Sequence, residues 1–170
     1  MESSSAAPEG GSDAVRPEDL DLGSLALFVG LTAAEEVRRD IEREGFTGLR
    51  FSHGYVFQHL VDAEPTIGEL ATRLEMTQQG ASKAVAELER LGYVERVPDP
   101  ADARIRRARL NARGRAAVEA ARRGRAAQQE RMARRCGRER LDTAHAVLVE
   151  LLDALGGADG VRRRDVRFPS

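Results

Sequence analysis

Residues 77–83, "TQQGASK", carry polar side chains at the spacing of one helix face. A glutamine can form two hydrogen bonds with an adenine edge, while serine and lysine reach bases or phosphates. Backbone amides at the start of a helix also favour a phosphate. The segment therefore predicts a helix that enters the major groove of double-stranded DNA, with contacts from Thr77, Gln78, Gln79, Ser82 and Lys83.

A second segment, "DPADARIRRARL" at 99–110, places four arginines after an acidic turn marked by proline. Arginines at a hairpin tip suit a narrow minor groove, whose negative potential attracts them, so Arg104, Arg106 and Arg107 are predicted DNA contacts. Asp99 and Asp102 would repel DNA if they were free. One of them is expected to pair with an arginine and hold the shape of the turn. A solvated charged loop is the alternative.

Two short amphipathic helices precede the arginines. Thr66 and Glu69 have the spacing of a capping box, in which each side chain accepts from the other residue's backbone amide. The helix that follows has an apolar face of Ile67, Leu70, Ala71 and Leu74. After a break of about three residues, Thr77 can cap a further helix with the inward residues Ala81, Val85 and Leu88. The pair predicts a helix-turn-helix.

A β-hairpin is expected next. Its first strand begins at Tyr93 and its returning strand at Arg104, so that Arg104 and Arg106 share a face with Ala108 and Leu110. Ile105 and Leu110 are expected to anchor this wing. Asn111 can then cap a long helix rich in alanine and arginine, which Gly137 ends.

Helices at both ends of the chain carry wide apolar stripes. One runs from Leu22 to Ile41 and stops near Gly45, and the other runs from Leu141 to Leu155. Between them, Ser52 is expected to cap a short helix. A monomer of this size has little to cover both stripes, which predicts a helical dimer interface. The alternative is that the stripes cover each other within one chain.

The span from Thr66 to Gly114 resembles the winged helix-turn-helix of MarR-family transcriptional regulators. The family's wing pattern, D-P-x-D-x-R followed by a leucine and a glycine, is matched at Asp99, Pro100, Asp102, Arg104, Leu110 and Gly114. Ala103 replaces a frequent arginine, and Asn111 replaces the usual threonine. With the flanking helices, the resemblance covers roughly residues 22–156.

The resemblance implies a homodimer, joined by its first and last helices, that binds a pseudo-palindromic operator. It also implies repression, with release of DNA when a small molecule binds between the dimerisation helices and the DNA-binding lobe. By position, Arg104 is the arginine expected in the minor groove, and Asp102 is its expected structural partner.

A candidate effector pocket draws on the first and second helices, where His53, Tyr55 and His59 form a polar aromatic cluster. The alternative is that these residues complete a small core. The six-residue spacing of the two histidines does not favour a metal site, and no cofactor is predicted. Cys136 stands among arginines, which could activate its thiol, although the family's peroxide sensors carry their cysteine in the first helix.

Composition and charge limit the classes of protein to which the chain can belong. The net charge is −1, yet residues 103–138 contain thirteen arginines and two acidic residues. The chain has one cysteine, no apolar segment long enough to cross a bilayer and no signal-peptide pattern, so a cytoplasmic protein is expected. Without a nucleophile elbow or a phosphate-binding loop, the sequence predicts no enzyme.

The predicted fold is mainly α with a small β-hairpin wing, a winged helix-turn-helix plus a helical dimerisation region. We expect a disordered acidic tail at 1–19, a MarR-like domain at 20–156 and a flexible basic tail at 157–170. Within the domain, the winged helix-turn-helix covers about 52–110 and the dimerisation helices about 22–44 and 112–156. The predicted function is a sequence-specific, ligand-responsive repressor; the alternative is a winged-helix protein-interaction module without specific DNA binding.

Overall fold

The computed structural model describes residues 15–163 of the chain. Its helices, after a 3-10 turn at Pro17–Asp19, are α1 Leu22–Arg43, α2 His53–Leu60, α3 Ile67–Arg73, α4 Gln78–Arg90, α5 Ala112–Cys136, α6 Arg138–Ala154 and α7 Ala158–Arg163. Strands β1 Val94–Pro98 and β2 Arg106–Leu110 form an antiparallel hairpin between α4 and α5. The mainly helical fold with a small wing is therefore confirmed.

Side-chain caps begin α3, α4 and α5 at the predicted residues. The Glu69 amide donates to the Thr66 hydroxyl at 3.2 Å, and the Thr66 amide donates to the Glu69 carboxylate at 2.7 Å. Thr77 accepts from the Gly80 amide, and Asn111 accepts from the Gly114 amide. Each cap satisfies an amide that has no partner within its own helix.

The cap predicted at Ser52 is wrong. Ser52 already has helical backbone angles, φ −60° and ψ −26°, and its side chain makes no capping hydrogen bond. An N-cap hydroxyl reaches the next turn from an extended backbone, so the serine is misplaced for the role. Instead, the Arg50 amide donates to His53 Nδ1 at 3.1 Å and closes the turn that leads into α2.

The wing differs from its predicted outline at the returning strand. β2 begins at Arg106, two residues later than expected, because the preceding residues form a turn in which the Ile105 amide donates to the Asp102 carbonyl. Arg104 therefore lies outside the strand and shares no face with Ala108. Ile105 is 43% exposed and does not anchor the hairpin, whereas Ala108 and Leu110 are buried.

The two ends of the domain are helical. Gly137 (φ 88°) separates α5 from α6, and Gly156 (φ 74°) follows α6. Both helices therefore end near the glycines that were predicted to end them. The tail expected to be flexible from residue 157 instead contains α7 at Ala158–Arg163, where Arg162 pairs with Asp153 and Asp159. The predictions for residues 1–14 and 164–170 lie outside the described residues. No helix within 15–163 is both long and apolar enough to cross a membrane.

Tyr93 fixes the wing to the rest of the lobe. Its side chain is fully buried in the core that α2, α3, α4 and the hairpin share, and its hydroxyl donates to the Thr47 carbonyl at 2.8 Å. The Arg113 guanidinium lies 5.0 Å from the centre of the ring, at cation–π distance. The junction between wing and α5 is therefore closely packed.

A substitution at Gly114 tests whether this junction is closely packed. A methyl group at its Cα would lie 2.1 Å from the Tyr93 carbonyl oxygen, which belongs to the backbone and cannot rotate away. We expect Gly114→Ala to lower the free energy of unfolding by about 3 kcal/mol or more, measured by urea denaturation. Gly124→Ala is the control, because its new methyl group would meet Val37 at an ordinary 3.5 Å. The control should stabilise the protein by up to about 1 kcal/mol. Equal effects of the two variants would contradict the packing argument.

Candidate nucleic-acid interface

The first turns of α4 present the predicted polar row to solvent. Thr77, Gln78, Gln79 and Lys83 are exposed, and Ser82 is half-buried. The opposite face of the same helix is fully buried: Ala81, Val85 and Leu88 are each 0% exposed. The predicted contact residues therefore point outward from a helix whose rotation is fixed by its buried face.

Arg96 ties this helix to the first strand of the wing. Its Nη2 donates to the Ser82 carbonyl at 3.1 Å, and its Nε lies 3.5 Å from the Glu89 carboxylate. The contact holds the wing at a set position relative to the polar row of α4. Sequence reasoning missed Arg96, because a strand arginine beside an acidic helix gives no signal of which backbone carbonyl it will reach.

Arg104 and Arg106 extend from the tip of the wing. Both side chains are exposed, and within residues 15–163 neither makes an ion pair. The turn below them is held by main-chain bonds, including Asp99 amide to Ile105 carbonyl at 3.0 Å. These two guanidinium groups are thus free to meet an external anion.

Arg107 is engaged within the chain. Its Nε bonds to the buried Asp99 carboxylate, its Nη1 donates to the Glu64 carbonyl at 2.8 Å, and it lies 3.6 Å from Glu69. It joins the turn of the wing to the capping box of α3. We therefore leave Arg107 out of the DNA-contacting set and assign it to the support of the wing.

Asp99 and Asp102 both shape the turn, by different means. Asp99 accepts from the amides of Ala101 and Asp102, and these bonds, together with the Arg107 guanidinium, hold the pKa of its carboxyl below the usual range. Asp102 accepts from the backbone amide of Arg104 at 2.9 Å. The predicted pairing of Asp102 with the Arg104 side chain is therefore replaced by a main-chain bond, which leaves that guanidinium free.

A cavity of about 720 Å³ lies between α1, α2 and α5. His53 and Tyr55 line it, as expected of an effector pocket, but His59 does not and is buried elsewhere in the lobe. Burial lowers the pKa of His53 and raises that of Tyr55, so both side chains are neutral near pH 7. Phe51 packs edge-on against Tyr55 beside them.

A metal site and a reactive thiol are the other kinds of chemistry that the sequence raised. Across residues 15–163, no group of three or more His, Cys, Asp or Glu side chains is arranged to hold a metal ion. Cys136 is exposed at the end of α5. The polar row of α4, the wing tip and the cavity are therefore the features that need a functional explanation.

The chain is similar to known regulators in both sequence and structure. Residues 47–105 match the profile of a family described as MarR family. No curated protein sequence matches the chain significantly.

Solved structures with the same fold include three of note. The YusO protein from Bacillus subtilis is 22% identical with a TM-score of 0.62, over 78% of this chain and 92% of its own. The MarR family transcription regulator SP03579 is 27% identical with a TM-score of 0.59, over 79% and 86%. FabT from Streptococcus pneumoniae, solved in complex with DNA, is 20% identical with a TM-score of 0.59, over 80% and 98%.

These similarities confirm the resemblance expected from the wing pattern. The profile match spans the second half of the α1–α2 loop, helices α2, α3 and α4, strand β1 and the turn of the wing, so it includes the polar row of α4 and Arg104 and ends just before Arg106. Residues 47–105 are thus similar to the MarR family, and a MarR family transcription regulator that is 27% identical has the same fold.

Proposed function

We propose that the protein binds double-stranded DNA sequence-specifically and regulates transcription as a homodimer. One observation carries the proposal: the outward polar row of α4 and the free arginines of the wing tip are held in a fixed relation by Arg96. The row fits a major groove, and the wing tip fits the adjacent minor groove. FabT, which shares the fold, was solved in complex with DNA.

Specificity and affinity come from different side chains. Gln78 and Gln79 stand at the start of the helix, where side chains reach base edges and can discriminate adenine. Lys83, Arg104 and Arg106 supply positive charge, which neutralises phosphates or enters a narrow minor groove. The near-neutral chain thus binds a polyanion through a small local surface.

Homodimerisation is supported by apolar side chains that the described chain leaves uncovered. Large hydrophobic residues are exposed along the first half of α1 and along α6, and α6 has no buried residue of its own. Exposure of such an apolar surface to water is energetically unfavourable. Pairing two copies through these helices would present two DNA-binding lobes, which matches a pseudo-palindromic operator.

Ligand response is supported by the cavity beside the DNA-binding lobe. Its volume is within the range of small-molecule sites, and its walls are largely apolar. The regulator would act as a repressor, occupying its operator in the absence of a ligand. No catalytic or cofactor role is proposed.

Arg104→Ala tests the wing. Loss of a minor-groove contact should weaken operator binding by about 1–3 kcal/mol, measured by fluorescence anisotropy at physiological salt. Arg134→Ala is the control, because this exposed arginine lies near the C-terminal end of α5, about 33 Å along the helix from Ala112, which follows the wing. The operator is first located by footprinting the intergenic DNA beside the protein's own gene. An unchanged affinity for Arg104→Ala would refute the wing assignment.

Gln79→Ala tests base recognition by α4. We expect a larger loss of affinity for the operator than for random DNA, since the side chain contributes to specificity and not to charge. Lys83→Ala provides the contrast, because loss of a phosphate contact should weaken binding to both DNAs and reduce the salt dependence. Equal losses on operator and random DNA for Gln79→Ala would show that this residue does not read bases.

The dimer is tested by charging the exposed face of α6. Leu148→Asp combined with Leu152→Asp should convert a dimer to a monomer in analytical ultracentrifugation and abolish high-affinity operator binding. Ala116→Asp, at an exposed position of α5 near the wing, serves as the control and should leave the dimer intact. A wild-type protein that is monomeric at micromolar concentration would refute the proposed assembly.

A further inference from the structure

Lys83 is the single lysine of a chain that otherwise uses arginine for its cationic side chains. The sequence contains 26 arginines and one lysine. Within residues 15–163, the surface ion pairs are made by arginines, as in the pair of Arg131 with Glu36. The one lysine stands on the outward row of α4, the surface proposed to face DNA. Any chemistry that lysine has and arginine lacks is therefore confined to this position.

Lysine and arginine differ in reactivity more than in charge. Both side chains are cations that bind phosphate, and the planar guanidinium of arginine can also bind a phosphate or a guanine edge through two parallel hydrogen bonds. An arginine would therefore supply the positive charge at this position equally well. Only the lysine amine becomes an effective nucleophile once it has lost its proton, and its acylation removes the charge.

The Lys83 amine has no intramolecular partner in the described part of the chain. It makes no ion pair there and no side-chain hydrogen bond. Glu87 follows it by one helical turn and is the nearest carboxylate on the same face of α4. However, Glu87 is bonded to Arg50 of the loop before α2, and it lies 3.6 Å from the buried His53. The amine is therefore free to meet either a DNA phosphate or a reactive molecule.

The surface around the Lys83 amine is open. The neighbours three residues before and three residues after it on the same face are Gly80 and Ala86, which have the smallest side chains. Both Lys83 and Ala86 are exposed. The packed side of the helix, with Ala81 and Val85 each 0% exposed, faces the other way. An acyl donor can therefore reach the amine without disturbing the core.

We propose that Lys83 is an acylation site, at which an acyl phosphate removes the positive charge and thereby releases DNA. The inference rests on the proposed function and adds a way to regulate the DNA-binding surface itself. Acyl phosphates are activated and negatively charged, so the local positive surface that attracts DNA phosphates also attracts them.

The reaction needs no oxidant, reductant or further reactant. The neutral Nζ of Lys83 attacks the acyl carbon, and the new N–C bond forms as the C–O bond to phosphate breaks. Inorganic phosphate leaves with the electron pair of that bond, and the proton of the nitrogen passes to water. The product is a neutral amide.

Acylation weakens the DNA contact in two ways. It replaces an ammonium group with a neutral amide, so that the phosphate formerly neutralised by Lys83 keeps its counterion. It also adds bulk to a side chain that lies one helical turn from Gln79, on the face that enters the groove. Neither effect depends on the identity of the bases, so binding to operator and to random DNA should both decrease.

The test treats full-length protein with acetyl phosphate and identifies the acetylated residues by peptide mass spectrometry. We expect acetylation of Lys83, and the modified fraction should bind the operator about tenfold more weakly or worse in anisotropy measurements. The slope of log affinity against log salt should become less steep by about one for each acetylated lysine. Operator DNA that is already bound should slow the acetylation of Lys83, because the amine is then paired with a phosphate.

Lys83→Arg separates the effect of Lys83 from that of any other group that acetyl phosphate modifies, such as the Cys136 thiol. Each protein is compared with itself before and after treatment, so the basal affinity of the variant does not enter. Treatment should change the operator affinity of Lys83→Arg by less than about twofold.

The matched control combines Lys83→Arg with Arg134→Lys. Its one lysine then stands at an exposed position near the C-terminal end of α5, away from the polar row of α4. We expect this protein to be acetylated at position 134 and to change its operator affinity by less than about twofold on treatment. The control therefore separates acetylation of an exposed lysine in general from acetylation on the DNA-binding face.

Any one of four results would overturn the inference. Lys83 remains unmodified while position 134 of the control reacts, or Lys83 is acetylated without loss of operator affinity. Alternatively, Lys83→Arg loses affinity on treatment as the wild type does, or bound operator leaves the acetylation rate unchanged. An affinity loss with a lower midpoint of urea unfolding would also contradict it, because the exposed amine takes no part in the packing.

Failure of the proposed function gives a different result, because the untreated wild-type protein then shows no specific operator binding. In that case the peptide map still decides whether Lys83 is the amine that reacts with acetyl phosphate. The inference and the proposed function can therefore fail separately.

Discussion

Burial of one face of α4 is the constraint on which the DNA-binding surface depends. With Ala81, Val85 and Leu88 wholly inside the core, the helix can neither rotate nor slide without opening a cavity. Because side chains on a helix have fixed angular positions, locking this face determines where Gln78, Gln79 and Lys83 point. Apolar packing thus sets the geometry of a polar contact surface, and the polar residues themselves contribute little to the fold.

The wing depends on the same core through a second set of contacts. Tyr93 is buried where α4 ends and the hairpin begins, and the Ala108 amide donates to the Pro65 carbonyl at 2.8 Å. Arg107 then links the buried Asp99 to the capping box of α3. Through these contacts the helix-turn-helix and the wing behave as one body, so a displacement of α4 carries the wing tip with it.

Local sequence patterns predicted much of this arrangement. The caps at Thr66, Thr77 and Asn111 and the inward face of α4 were predictable because each depends on residues within one or two helical turns. The contacts of Arg107 and Arg96 were not, since they join residues far apart in the chain, as in Arg107 to Glu64. The strand boundary was missed for a related reason: alternation alone cannot show that Asp102 folds Arg104 and Ile105 into a turn.

Ion pairing decides which arginines of the wing can act on DNA. Of the four in residues 104–109, Arg107 pairs with Asp99 and Arg109 pairs with Glu95 across the hairpin, so their charges are largely compensated within the chain. Arg104 and Arg106 are exposed without such a partner in the described structure. Of the four arginines in this segment, two therefore stabilise the wing and two are available to bind DNA. The acidic residues of the turn make this division possible, because Asp99 neutralises Arg107 and Asp102 bonds to the Arg104 main chain while leaving its side chain free.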